Sequence, residues 1–152
     1  MIEVIVNRPS FEYDIHSLVK AFFPREDVSV RVQEAFTEET KLRISLHFTD
    51  DKIYIALLEQ GEEKQSGSDE ICYRDRKETK DRMKRLLYRI LQAYTGQSLP
   101  WGTLTGIRPT RLAMLMLEGG MSNVEAAQNM REKYFASKEK AALSVMIANR
   151  ER

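Results

Sequence analysis

Four residues in one short stretch, Trp101, Thr105, Arg108 and Arg111, have the types and spacing to hold an anion. Arg108 and Arg111 are three apart, so both lie on one side of a first helical turn if Pro109 opens the helix. Backbone N–H groups exposed at that turn would add to the attraction for a carboxylate or phosphate. Trp101 offers either a flat face for stacking or a wedge that fixes the loop on a core. Arg108 is equally open to two readings, a fixed bond to loop carbonyls or a carboxylate, and contact with a ligand. The stretch 99–111 also contains Gly102, Gly106, Pro100 and Pro109, which rules out a regular helix or central strand. Gly102 and Gly106 are expected to serve positive φ or close packing.

A second basic cluster precedes it. From Arg74 to Arg89 there are eight basic residues against three acidic ones. Arg74, Arg76, Lys77 and Lys80 form the start of this ridge, which reads either as a solvated helix face with i to i+4 pairs such as Asp81 with Arg85, or as an anion-binding ridge. Other chemistry is poorly supplied. The single cysteine, Cys72, excludes an internal disulfide and any cysteine-based zinc or iron–sulfur site within the chain. His16 and His47 are far apart and read as solvated residues, so no metal site is expected. A net charge of +1 predicts neither nucleic acid nor membrane as a partner. The N-terminus lacks a signal peptide's pattern, and no stretch approaches the ~20 apolar residues of a membrane span. A cytoplasmic protein is expected.

The elements that must position these residues follow from periodicity. Ile2, Val4 and Val6 predict a first strand, and Ile15, Leu18, Val19 and Phe22 a helix stopped by Pro24. Val28, Val30 and Val32 resume period two, extending to Phe36 if Glu34 lies near a sheet edge. Thr37 to Thr40 reads as a hairpin turn. Leu42 to Phe48 and Ile53 to Leu57 alternate as two further strands around a turn at Asp50-Asp51. Residues 59–70 read as a polar surface loop. Met83, Leu86, Leu87, Ile90, Leu91 and Tyr94 mark an amphipathic helix ended by Gly96. The expected class is α+β: a two-layer β-α-β-β-β-α unit over 1–96, then a small three-helix extension over 97–152.

In that extension Leu112 to Leu117 is apolar all round, so its helix should be buried on most sides before Gly119-Gly120 ends it. Ser122 and Glu125 are spaced as a capping box for a helix through about Tyr134. Ser137 can cap the last helix, with Ala141, Leu143, Val145 and Ile147 supplying apolar area. Three short helices could mimic a helix-turn-helix, but 123–131 offers few groups for reading bases. Nucleic acid is therefore not the expected partner. The chain reaches Arg152 without a Gly or Pro stop, as a cut linker helix or a frayed terminus would.

The segment Arg74-Asp75-Arg76-Lys77-Glu78-Thr79-Lys80, the helix after it, and the string Leu99-Pro100-Trp101-Gly102-Thr103-Leu104-Thr105-Gly106-Ile107-Arg108-Pro109-Thr110-Arg111 together resemble a known family. They are similar to the N-terminal region of oxygen-independent coproporphyrinogen III oxidase-like proteins of the HemZ type, which are radical SAM enzymes. The resemblance runs from about Cys72 to the end; the first 70 residues fit by position alone. It implies a longer protein of porphyrin and haem biosynthesis whose C-terminal barrel carries a 4Fe–4S cluster on CxxxCxxC and uses S-adenosyl-L-methionine. No catalytic residue of the family can be placed here, because no CxxxCxxC exists in the chain, and no cofactor is expected within it. The implied role is an accessory domain that docks coproporphyrinogen III or packs on the barrel. A stand-alone RNA- or nucleotide-binding module using the 74–89 ridge, and a purely structural interaction domain, are the competing readings.

Overall fold

The computed structural model describes residues 1–32, 35, 41–105 and 108–151, which fall into two units, Met1–Gln97 and Ser98–Arg152. The first unit holds β1 (Ile2–Val6), α1 (Glu12–Phe22), β2 (Val28–Val32), β3 (Leu42–Phe48), β4 (Lys52–Glu59), β5 (Glu62–Glu70) and α2 (Arg76–Thr95). The second holds α3 (Pro109–Glu118), α4 (Asn123–Tyr134) and α5 (Lys138–Glu151). The class is α+β, as the periodicities require.

The five strands lie in the order β2-β1-β3-β4-β5. β1 pairs in parallel with both β2 and β3, and β3, β4 and β5 follow antiparallel. Val4 sits opposite both Val30 and Ile44, and Leu46 opposite Ile55. The apolar residues of successive strands therefore share one face, and α1 and α2 cover it. Ile15, Leu18, Val19 and Phe22 of α1 are buried, as are Met83, Leu86, Leu87, Ile90 and Leu91 of α2. Each such side chain is worth roughly 2 kcal/mol of burial. The helices meet through Phe22 and Tyr88, whose rings make a T-shaped contact at 5.2 Å. On the opposite face Glu3 is buried and ion-paired to Arg31 at 3.2 Å, while His47 is exposed.

One expectation fails in this unit. Residues 59–70 are not a loop: they close β4 and form β5. The turn is Gln60-Gly61, with φ of 52° and 82°, the double positive φ of the tight turn that matches strand twist. β5 is an edge strand, where charge and small size are tolerated and guard against stray pairing. Gly67 faces α2, and a Cβ there would lie 3.0 Å from Leu86 Cδ1. The hairpin turn at 37–40 lies outside the described residues, as do 33, 34 and 36 of the suggested β2 extension. The strands on either side, β2 and β3, run parallel with β1 between them.

In the helical unit, Ser122 and Glu125 form the reciprocal capping box, at 3.1 and 3.3 Å. Ser137 Oγ accepts the Lys140 N–H at 3.2 Å. Two burial expectations need correction. Only Ala113, Met116 and Leu117 of α3 are buried, and Leu115 is 55% exposed, since two neighbouring helices can cover one stripe of a third and no more. On α5 the buried stripe is Ala141, Ser144, Val145 and Ala148. Leu143 and Ile147 are half-buried at its side, because spacing of two does not keep residues on one helical face.

Candidate functional site

The stretch after Ser98 divides into a clasp and an exposed end. The clasp runs from Leu99 to Leu104. Gly102 donates its N–H to Leu99 O at 2.9 Å, and Leu104 to Trp101 O at 3.1 Å. Gly102 has φ of +60°, and a Cβ would run into the backbone carbonyls of Tyr134 and Phe135. Both reasons for a glycine, positive φ and close approach, hold at this one position. Thr103, itself buried, gives its N–H and Oγ1 to Tyr134 O at 2.7 and 3.2 Å, and Ser137 N–H binds Pro100 O at 2.8 Å. The clasp is thus bonded to the α4–α5 junction. Trp101 packs half-buried against the helical core with Lys140 Nζ 5.3 Å from its ring centroid.

Beyond the clasp lie Thr105, Arg108 and Arg111. Thr105 Oγ1 is buried without a hydrogen-bond partner among the described residues, an uncommon and costly state for a hydroxyl. Gly106 and Ile107 lie outside the described residues. Arg108 is the N-cap of α3 and Pro109 its first residue; the Arg108 carbonyl accepts the N–H of Arg111 at 3.1 Å. Arg108 and Arg111 are both exposed, and neither guanidinium has an ion pair among the described residues. Two cations without an ion pair among the described residues therefore share the start of one helix.

The basic run 74–89 is broken up by its surroundings. Arg74, Arg76 and Lys77 are exposed and Lys80 is half-buried. Glu78 draws in Arg82 at 3.3 Å and Arg85 at 3.4 Å, and Asp81 is buried at 6% exposure. Lys84 is buried at 2% exposure, and that burial pushes its amine below the usual lysine range, against the attraction of Asp14 and Asp81. Exposed positive charge is concentrated at the first turn of α2 rather than along it. Among the described residues no three His, Cys, Asp or Glu side chains are grouped to hold a metal, and no helix is long and apolar enough to cross a membrane.

The molecule is thus an α+β layer with a clasped helical unit presenting two arginines at a helix start. Over 75 residues the chain is 37% identical to the oxygen-independent coproporphyrinogen-III oxidase-like protein HemZ of Bacillus subtilis (strain 168). The match covers 49% of this chain and 15% of that protein. The chain therefore contains a HemZ-like region, as its motifs indicate. No family model matches the chain, and no solved structure does.

Proposed function

We propose that this chain is an N-terminal, non-catalytic domain of a radical SAM coproporphyrinogen III dehydrogenase-like protein, and that Arg108 and Arg111 dock a propionate-bearing tetrapyrrole. The HemZ-like region supports the parent class. The docking role rests on one observation: at the start of α3 two exposed guanidiniums have no ion pair among the described residues, a few positions after Thr105, whose buried hydroxyl has no hydrogen-bond partner among them. Carboxylates suit such a pair, since guanidinium N–H groups match them two by two. The 4Fe–4S cluster and S-adenosyl-L-methionine of the parent protein would be held elsewhere. A cluster needs several thiolates, and this chain offers only Cys72. The catalytic barrel of the same protein is the proposed partner, and the cytoplasm the proposed location.

Trp101 is the only tryptophan and lies a few residues from the proposed contacts, so its fluorescence reports on binding. Coproporphyrin III is expected to quench it saturably. Arg108→Ala with Arg111→Ala should weaken that binding at least about tenfold, the value of a lost charged hydrogen bond, at unchanged melting temperature. Unaltered affinity in the folded double variant would refute the docking role. The barrel-packing role would then be left as the reading to test.

A further inference from the structure

A second basic recess opens in the α+β unit, at the carboxyl ends of β1 and β3. These strands are parallel neighbours, yet the chain leaves β1 toward α1 and β2 on one side while β3 turns into β4 on the other. In open sheets, ligands settle outside strand carboxyl ends where connections diverge in this way. Asn7 fixes the local backbone, donating from Nδ2 to Phe48 O at 2.8 Å and accepting the Phe48 N–H at 2.7 Å. Beside it lies a cavity of about 150 Å³ lined by Arg8, Ser10, Phe11, Phe48, Tyr73 and Arg76.

Each guanidinium rests on an aromatic face. Arg8 is 5.2 Å from the Tyr73 ring centroid and Arg76 is 4.5 Å from that of Phe11. The Phe11 ring stands 6.3 Å from Phe48. Stacking orients the planar fork while leaving its N–H groups to bind something else. Beyond a hydrogen bond from Arg8 to the Tyr73 side chain, little else takes them up. The ion pair of Arg8 is a 3.8 Å contact to Asp50, whose side chain is fully exposed, and Arg76 has none among the described residues. Exposed Arg74 and Lys77 add positive charge at the start of α2, where the helix dipole disfavours it. The helix end itself is already satisfied, because the Asp75 carboxylate accepts the Glu78 N–H at 3.0 Å. Recognition therefore rests on the side chains.

We propose that this recess binds a small oxyanion group, a phosphate or a carboxylate, with Arg8 and Arg76 as its paired donors and Phe11 and Phe48 as its apolar floor. The volume is ample for a phosphate- or carboxylate-sized group. The site lies wholly within Met1–Gln97 and shares no residue with the loop at Arg108, so either proposal can fail without the other.

The test is an NMR titration of the full, isotope-labelled chain with sodium phosphate and, separately, sodium acetate, at constant ionic strength. Saturable amide shifts confined to Arg8, Ser10, Phe11, Tyr73 and Arg76 are expected. The anion that saturates at lower concentration identifies the group as phosphoryl or carboxyl. Arg76→Gln should weaken binding at least about tenfold, and Arg76→Lys less, since it keeps the charge without the fork. Arg150→Gln, an equal loss of exposed charge elsewhere, should change nothing. Should Arg76→Gln fail to fold, Arg8→Gln gives the same reading. Shifts that do not saturate, shifts spread over every surface Lys and Arg, or undiminished binding in a folded Arg76→Gln variant would overturn the proposal.

Discussion

Gly102 and Lys84 show how single residues set conditions for everything near them. At Gly102 an alanine would meet both a left-handed backbone and the Tyr134 and Phe135 carbonyls. Gly102→Ala should therefore cost about 3 kcal/mol, combining a left-handed penalty with overpacking, measured by urea unfolding followed through Trp101. Gly61→Ala has the same sign of φ but open space around it, and should cost only about 1 kcal/mol. Lys84 makes a pH-dependent contribution. Burial lowers its folded pKa below the unfolded 10.5, so between those two values the unfolded chain binds more protons. Stability from this residue must then rise with pH across that window, and below it the charged, buried amine is a fixed penalty. Asp14, Lys80 and Asp81 face it and modulate the size of the effect. Lys84→Met should flatten that part of the pH–stability curve and raise the melting temperature at neutral pH; a lower melting temperature would mean that the carboxylates outweigh the burial.

At the scale of elements, legibility followed the strength of periodicity. The helices were readable because stripes such as Met83 to Leu91, a C-cap such as Gly96 and the Ser122 box all point the same way. Ser122→Ala should accordingly cost about 1 kcal/mol in thermal or urea unfolding. β5 was not readable. Its turn is Gln-Gly rather than the Asn-Gly or Asp-Gly that signals such hairpins. A register shift between Leu57 and Leu58 breaks its alternation, and its helix-facing residues are Gln65, Gly67 and Asp69 instead of β-branched ones. Pairing with β4 and the close approach of Leu86 override its poor strand propensity. Gly67→Val tests this, with an expected loss of about 1–3 kcal/mol from forcing α2 off the sheet edge. Burial of α3 departs from its apolar pattern for a related reason: sequence records which residues are apolar, while the number of neighbours decides which are covered.

For the whole molecule, the two candidate sites were unequally visible. Arg108 and Arg111 are close in sequence, so a local reading of the Pro109 helix start brought them together. Arg8 and Arg76 are distant in sequence and meet only because β1 and β3 run parallel and α2 returns over their carboxyl ends, a fact of topology that no local pattern contains. The division of the 99–111 string into a clasp and an exposed end also needed the fold, since the partners of Gly102 and Thr103 lie at Tyr134 and Phe135. The central claim is that the exposed end docks a tetrapyrrole carboxylate, and the most direct test maps amide shifts of the full chain on adding coproporphyrin III. Saturable shifts at Thr105, Arg108 and the first turn of α3, lost in the Arg108→Ala, Arg111→Ala variant, are the expected result. Shifts centred on Arg74 to Lys80, or no saturable shift at all, would contradict it.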